Sequence, residues 1–129
     1  MSLRFVAILV VALALPLSAG AAAGPLVVFK ATTHTPKVNA KWPWSITVTR
    51  GGVRLPATIS AVVIEPIGGV HPVEYGCCKK EFITNVKIKG RFADYVQYPL
   101  AAKGYKVTFR ITVKTSLGKR VVNYWVKAL

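Results

Sequence analysis

Apolar and polar positions alternate with a period of two along most of the chain beyond residue 25, and no apolar stripe there recurs at helical spacing. The clearest stretch is Lys106-Val-Thr-Phe-Arg-Ile-Thr-Val-Lys114. Its Val107, Phe109, Ile111 and Val113 share one face of a strand, and Lys106, Thr108, Arg110, Thr112 and Lys114 share the other. Trp44-Ser-Ile-Thr-Val48 repeats the pattern, and Trp42 and Trp44 alternate onto one face around Pro43. Ala57-Thr-Ile-Ser-Ala-Val-Val-Ile64 is more uniformly apolar, as a central strand would be, and Arg120-Val-Val-Asn-Tyr-Trp-Val-Lys127 aligns Val122, Tyr124 and Val126. Positions 26–33 and 82–88 are two further predicted strands, and 92–98 is a weaker one.

The segments between these runs carry turn chemistry. Arg50-Gly51-Gly52 separates two strands as a hairpin tip would, because consecutive glycines accept the positive φ of primed turns, and Ser116-Leu-Gly118 does the same between the last two strands. Pro66-Ile-Gly-Gly69 ends the third strand, and Ala102-Lys-Gly104 precedes the strongest one. Six or seven short strands at intervals of about ten residues predict an all-β protein, an immunoglobulin-like antiparallel β-sandwich, with a small partly open barrel as the alternative. No internal repeat or low-complexity tract divides it.

The first residues follow a different order. Met1-Ser-Leu-Arg4 is short and positive, positions 5–15 are apolar throughout, Pro16 interrupts them, and Ala19-Gly-Ala-Ala-Ala-Gly24 offers small residues at the spacing of a cleavage site. This is the order of a secretory signal peptide, so residues 1–23 are expected to be removed and 24–129 to form the exported domain. An uncleaved membrane anchor is the competing reading, disfavoured because Ala, Gly and two prolines make a poor spanning helix. With no cysteine before Cys77, a lipid anchor is not expected.

Charge narrows the chemistry. The chain holds 18 Lys and Arg against 4 Asp and Glu, and loss of Arg4 with the signal leaves the domain at +13. Glu65, Glu74, Glu81 and Asp94 are the only carboxylates and His34 and His71 the only imidazoles, which is too little to assemble acid–base catalysis by paired carboxylates. No catalytic residue and no cofactor are expected. A surface this basic attracts polyanions, and for an exported protein these are anionic envelope polymers, acidic glycans or lipid surfaces before nucleic acid. Lys79, Lys80, Lys87, Lys89 and Arg91 are the cations densest in sequence and form the candidate binding face. The alternative use of the same charge is solubility, with lysines guarding strand edges.

Cys77-Cys78 are the only cysteines. Neighbouring Cα atoms stand ~3.8 Å apart, below the usual disulfide range of about 4.4 to 6.8 Å, so a vicinal bridge is strained. Free thiols and an intermolecular bridge are the other states. With His71, these cysteines make a candidate copper or zinc site or a redox-responsive one by ligand type, although neither C-x-x-C nor H-x-x-x-H spacing is present. Core packing is the expected fate of Trp42, Trp44 and Trp125, and exposure beside lysines would make them a sugar or single-strand platform instead.

Thr33-His-Thr-Pro-Lys37, Trp42-Pro-Trp-Ser45, His71-Pro-Val-Glu-Tyr-Gly-Cys-Cys-Lys79 and the closing Asn123-Tyr-Trp-Val126 together resemble a group of small exported bacterial Ig-like proteins, mostly uncharacterised. The resemblance spans about 29–126, implies the Ig-like fold and export, and brings no catalytic residues. A non-enzymatic exported binding or envelope-associated module is the expectation, with a metal- or redox-responsive module as the alternative.

Overall fold

The computed structural model of the chain describes residues 24–76 and 80–129. The expected signal segment, Cys77, Cys78 and Lys79 lie outside the described residues. Among the described residues nine strands follow in order: β1 Leu26–Ala31, β2 Lys41–Arg50, β3 Val53–Arg54, β4 Ala57–Ile64, β5 Val70–Pro72, β6 Val86–Ile88, β7 Arg91–Gln97, β8 Lys106–Thr115 and β9 Gly118–Lys127. One 3-10 turn, Leu100–Ala102, and no α-helix occur among the described residues.

All pairing is antiparallel, in two sheets. In the first, β2 is central, with β1 on one side and β7 and the two-residue β3 also paired to it. In the second the order is β5-β4-β8-β9, and β6 also pairs with β4. The sheets pack face to face because each strand buries every second residue. Trp42, Trp44, Ile46 and Val48 of β2 meet Ile59 and Ala61 of β4 and Val107, Phe109, Ile111 and Val113 of β8 in one core cluster. Among the described residues no charged or polar residue is buried in that core.

Aromatic rings fasten the two layers. Phe109 of β8 lies 5.3 Å from Trp42 and 5.2 Å from Trp44 of β2, and 5.8 Å from Phe29 of β1, between ring centroids. Tilted and edge-on rings at these separations add attraction beyond the area they bury. The Trp42 indole N–H donates to the Thr33 carbonyl at 2.7 Å, so this deeply buried side chain has its polar atom satisfied.

Several segments depart from the sequence expectation for local reasons. The Gly51-Gly52 tip, with φ of 56° and 79°, folds back onto β2 for two residues only before the chain crosses to the other sheet at β4. The 82–88 segment pairs with β4 over Val86–Ile88 alone. Asn85 adopts a left-handed φ of 51° and accepts local anchoring, its N–H donating to Ser60 Oγ at 2.9 Å, and this ends the extended run. Upstream of it, the Ala61 N–H donates to the Ile83 carbonyl and the Ile83 N–H to the Val73 carbonyl, so the edge of β4 is shared out among short segments.

Candidate functional site

The outer face of the five-stranded sheet collects cations without a carboxylate. Burial of Val107, Phe109, Ile111 and Val113 turns Lys106, Arg110 and Lys114 outward on β8, and Tyr124 and Val126 facing in turns Lys119 and Lys127 outward on β9. Register places Lys87 of β6 beside Thr58 of β4, Thr58 beside Lys114, and Lys114 beside Lys119, so one row across four strands reads Lys, Thr, Lys, Lys. At the far end of the same hairpin Lys106 stands directly opposite Lys127. Like charges placed directly opposite across strands oppose pairing, and this hairpin carries that arrangement twice.

Between the rows of lysine lie hydroxyls and one amide. Thr112 is opposite Ser60 and Thr108 opposite Ile64, while the Arg110 Nε–H donates to Asn123 Oδ1 at 2.7 Å and is held flat on the sheet. Trp125, expected in the core, is instead 42% exposed on the same face because Tyr124 and Val126 take the inward positions of β9, and Lys106 Nζ lies 5.0 Å from its ring centroid. His34 braces the β9 edge: its ring stacks on Tyr124 and Trp125, each at 4.0 Å, and its Nδ1–H donates to the Trp125 carbonyl at 2.7 Å.

The four carboxylates gather elsewhere, at the edge where β5 and β7 leave the sheets apart. Glu65 closes the end of β4 and lies 3.0 Å from His71 Nε2 of β5. Asp94 of β7 accepts the Gly76 N–H at 2.9 Å, and the Tyr75 N–H donates to the Glu81 carbonyl. Burial, then the nearby charges of Glu81 and Asp94, push the Tyr75 phenol above its ordinary range. Gly76 has no room for a side chain, because a Cβ there would run into the Tyr95 carbonyl and ring. That edge encloses a cleft of about 780 Å³ lined by Glu65, Glu74, Tyr75, Tyr95, Tyr98 and Tyr105 among others. Tyr98, 3% exposed, sits at its floor, and its hydroxyl is buried without a hydrogen-bond partner among the described residues. Burial pushes its phenol far above the ordinary 10.0, so it stays a protonated donor.

The cations nearest in sequence are spread in space. Lys80 is exposed beside Glu81, Lys87 is on the five-stranded sheet's outer face, and Lys89 is in the β6–β7 connection. Arg91 pairs with Thr47 and faces outward on the other sheet. Lys79 lies outside the described residues, as do Cys77 and Cys78, while His71 is at the cleft with Glu65. No group of three His, Cys, Asp or Glu side chains among the described residues is placed to hold a metal ion. The residues that do share a face with Lys87 are Lys106, Arg110, Lys114, Lys119 and Lys127. Their signal was the alternation of the last two strands joined at the Ser116-Leu-Gly118 tip, which folds one lysine onto the next. The tyrosine-lined cleft had no such signal, since its described residues come from two stretches, 63–76 and 95–107, that no local pattern joins.

No protein-family model matches the chain, and no curated protein matches it. Among the described residues no helix is long and apolar enough to cross a membrane.

Proposed function

We propose that the chain is an exported Ig-like β-sandwich that binds an acidic polymer or glycan of the cell envelope through the outer face of the five-stranded sheet, without catalysing a reaction. The observation that carries this reading is the pairing of Lys114 with Lys119 and of Lys106 with Lys127 on a face that holds no carboxylate. A surface serving solubility alone is served as well by mixed charge, in which carboxylates opposite lysines would help the hairpin pair. Lysine directly opposite lysine works against the fold and is relieved when anionic groups lie across it.

The Ig-like assignment draws support from strand order. With β1, β2 and β7 as A, B and E, and β5, β4, β8 and β9 as C′, C, F and G, the sheets follow the order in which immunoglobulin-type sandwiches arrange their strands. Trp44 and Phe109 then stand on B and F, the strands that antibody domains join by a disulfide, and their ring contact spans the same gap. Export rests on the charge, apolar run and small-residue order of positions 1–23.

The test is binding of protein recovered from cells expressing the full chain to polygalacturonate, to anionic vesicles and to duplex DNA, over a range of salt. Affinity for the acidic glycan that falls steeply with salt, and falls further on reversing Lys114, Lys119 and Lys127 than on reversing Lys30, Lys41 and Arg91 of the opposite sheet, is expected. Equal losses from both sets would mean a diffuse field and would defeat the assignment of the face.

A further inference from the structure

The outer face of the five-stranded sheet carries more than charge. On β4, Val63 packs against the core cluster and Val62 and Ile64 do not, so these two face outward. Register sets Val70 of β5 opposite Ile64, Ile64 opposite Thr108, and Thr108 opposite Trp125. Residues directly opposite in an antiparallel pair share a face, so this row across four strands is an apolar band, exposed at both its Val70 and its Trp125 end. At about 4.8 Å between strands the band is about 14 Å long. Cations flank it. Lys106 and Lys127 stand opposite each other two residues to one side, and Arg110, opposite Val62, lies two residues to the other, each about 7 Å away along the strands.

We propose, resting on the basic-face reading above, that the polymer held here is a uronate-type glycan, its carboxylates meeting Lys106, Lys127 and Arg110 and the C–H faces of its sugar rings lying along the band from Val70 to Trp125. A polyphosphate satisfies the cations but leaves the band in water, whereas a sugar ring bearing a carboxylate offers both an anion and an apolar face. Much of the surface is formed in advance, which lowers the ordering cost of binding. His34 stacks on Trp125 at 4.0 Å and holds the indole in place. Asn123 fixes Arg110 through Nε alone among the described residues, which leaves the terminal guanidinium nitrogens for a carboxylate. Lys106 Nζ already stands 5.0 Å from the indole centroid, so a carboxylate drawn to that ammonium brings its own ring to the exposed part of Trp125. A bilayer fits less well, because Trp125 is pinned by His34 and Ile64 is half-buried, which makes the band a surface to lie along rather than one that inserts. Single-stranded nucleic acid asks for successive aromatic rings, and the band offers one.

Affinities for polygalacturonate and for long-chain polyphosphate are measured at low salt on protein recovered from cells expressing the full chain. Trp125→Ala is expected to weaken polygalacturonate about five-fold, the scale of one ring contact, and to leave polyphosphate unchanged. Reversal of Lys114, Lys119 and Lys127 together should weaken both polymers. If that reversal leaves both bound as before, the basic-face reading has failed and the glycan assignment falls with it. If the reversal weakens both but Trp125→Ala weakens them equally, or neither, the basic face stands and recognition of the sugar ring is overturned. Oligothymidylate or anionic vesicles bound more tightly than polygalacturonate, with that binding lost in Trp125→Ala, would overturn it in favour of a nucleic acid or a lipid surface. Should Trp125→Ala lose its cooperative unfolding, acrylamide quenching of the unsubstituted protein decides. Trp42 and Trp44 are buried, so the quencher reaches Trp125. Saturating polygalacturonate should slow that quenching and saturating polyphosphate should not, and equal quenching in the two complexes would overturn the proposal.

Discussion

Tyr98 and Phe109 show how differently two buried aromatic residues can serve the same sandwich. Phe109 is wholly apolar, is 1% exposed, and touches rings from β1 and β2. Phe109→Ala should therefore cost about 3 to 5 kcal/mol, since the cavity is walled by tryptophans that cannot collapse into it. Denaturant unfolding of the two proteins measures this. Tyr98 is as deeply placed but brings a hydroxyl with no partner among the described residues. Tyr98→Phe is expected to leave stability at neutral pH unchanged or raised. The alkaline limb tests the same environment: in the unfolded chain the phenol ionises near 10.0, whereas burial holds the folded one protonated well above that. A raised native pKa means that the stability is full below pH 10 and is lost as pH rises beyond it. Unfolding measured from pH 8 to 11 should show a shallower alkaline loss in Tyr98→Phe than in the parent protein, and parallel curves would contradict the burial described for this side chain.

At the scale of elements, β4, β8 and β9 were legible in the sequence to within a residue or two, while β2 runs over Lys41–Arg50, well beyond the 44–48 stretch that alternates most cleanly. β4 and β8 occupy the segments that the pattern outlines, because both are internal strands whose neighbours on each side hold them extended. Where the pattern overreached, as over 82–88, a left-handed Asn85 and an already occupied β4 edge limited pairing, and neither is visible in alternation. The two-residue β3 was hidden for a related reason. Gly51 and Gly52 do turn the chain back, but the return is cut short where Leu55 and Pro56 lead to the opposite sheet. The β6–β7 connection depends on Gly90, whose φ is 78° and whose Cβ would lie 2.5 Å from that of Arg54. Its carbonyl also accepts the Val48 N–H at 2.8 Å. Gly90→Ala should destabilise by more than about 1 kcal/mol, and by more than Gly51→Ala, where the φ is also positive but nothing stands within 4 Å. Thermal unfolding of the two variants side by side makes that comparison.

Over the whole molecule, the described carboxylates cluster at one edge, and the outer face of the five-stranded sheet carries cations only. Composition revealed the excess of charge but not this segregation. Sequence density pointed to the 79–91 stretch, whereas hairpin register brings Lys114 to Lys119 and Lys106 to Lys127 across β8 and β9. Density fails because a chain passing from one sheet to the other distributes neighbours in sequence over opposite faces, as it does Lys87 and Arg91. Since the lysine pairs oppose the fold, the face should trade stability against recognition. The most direct measurement is a joint one on Lys114→Glu with Lys127→Glu: thermal unfolding at low salt, and affinity for polygalacturonate under the same conditions. Each new carboxylate would face a lysine across the hairpin, so the midpoint should rise while binding drops by at least ten-fold. A midpoint that rises with binding unchanged would show that the cationic face is not where the polyanion is held.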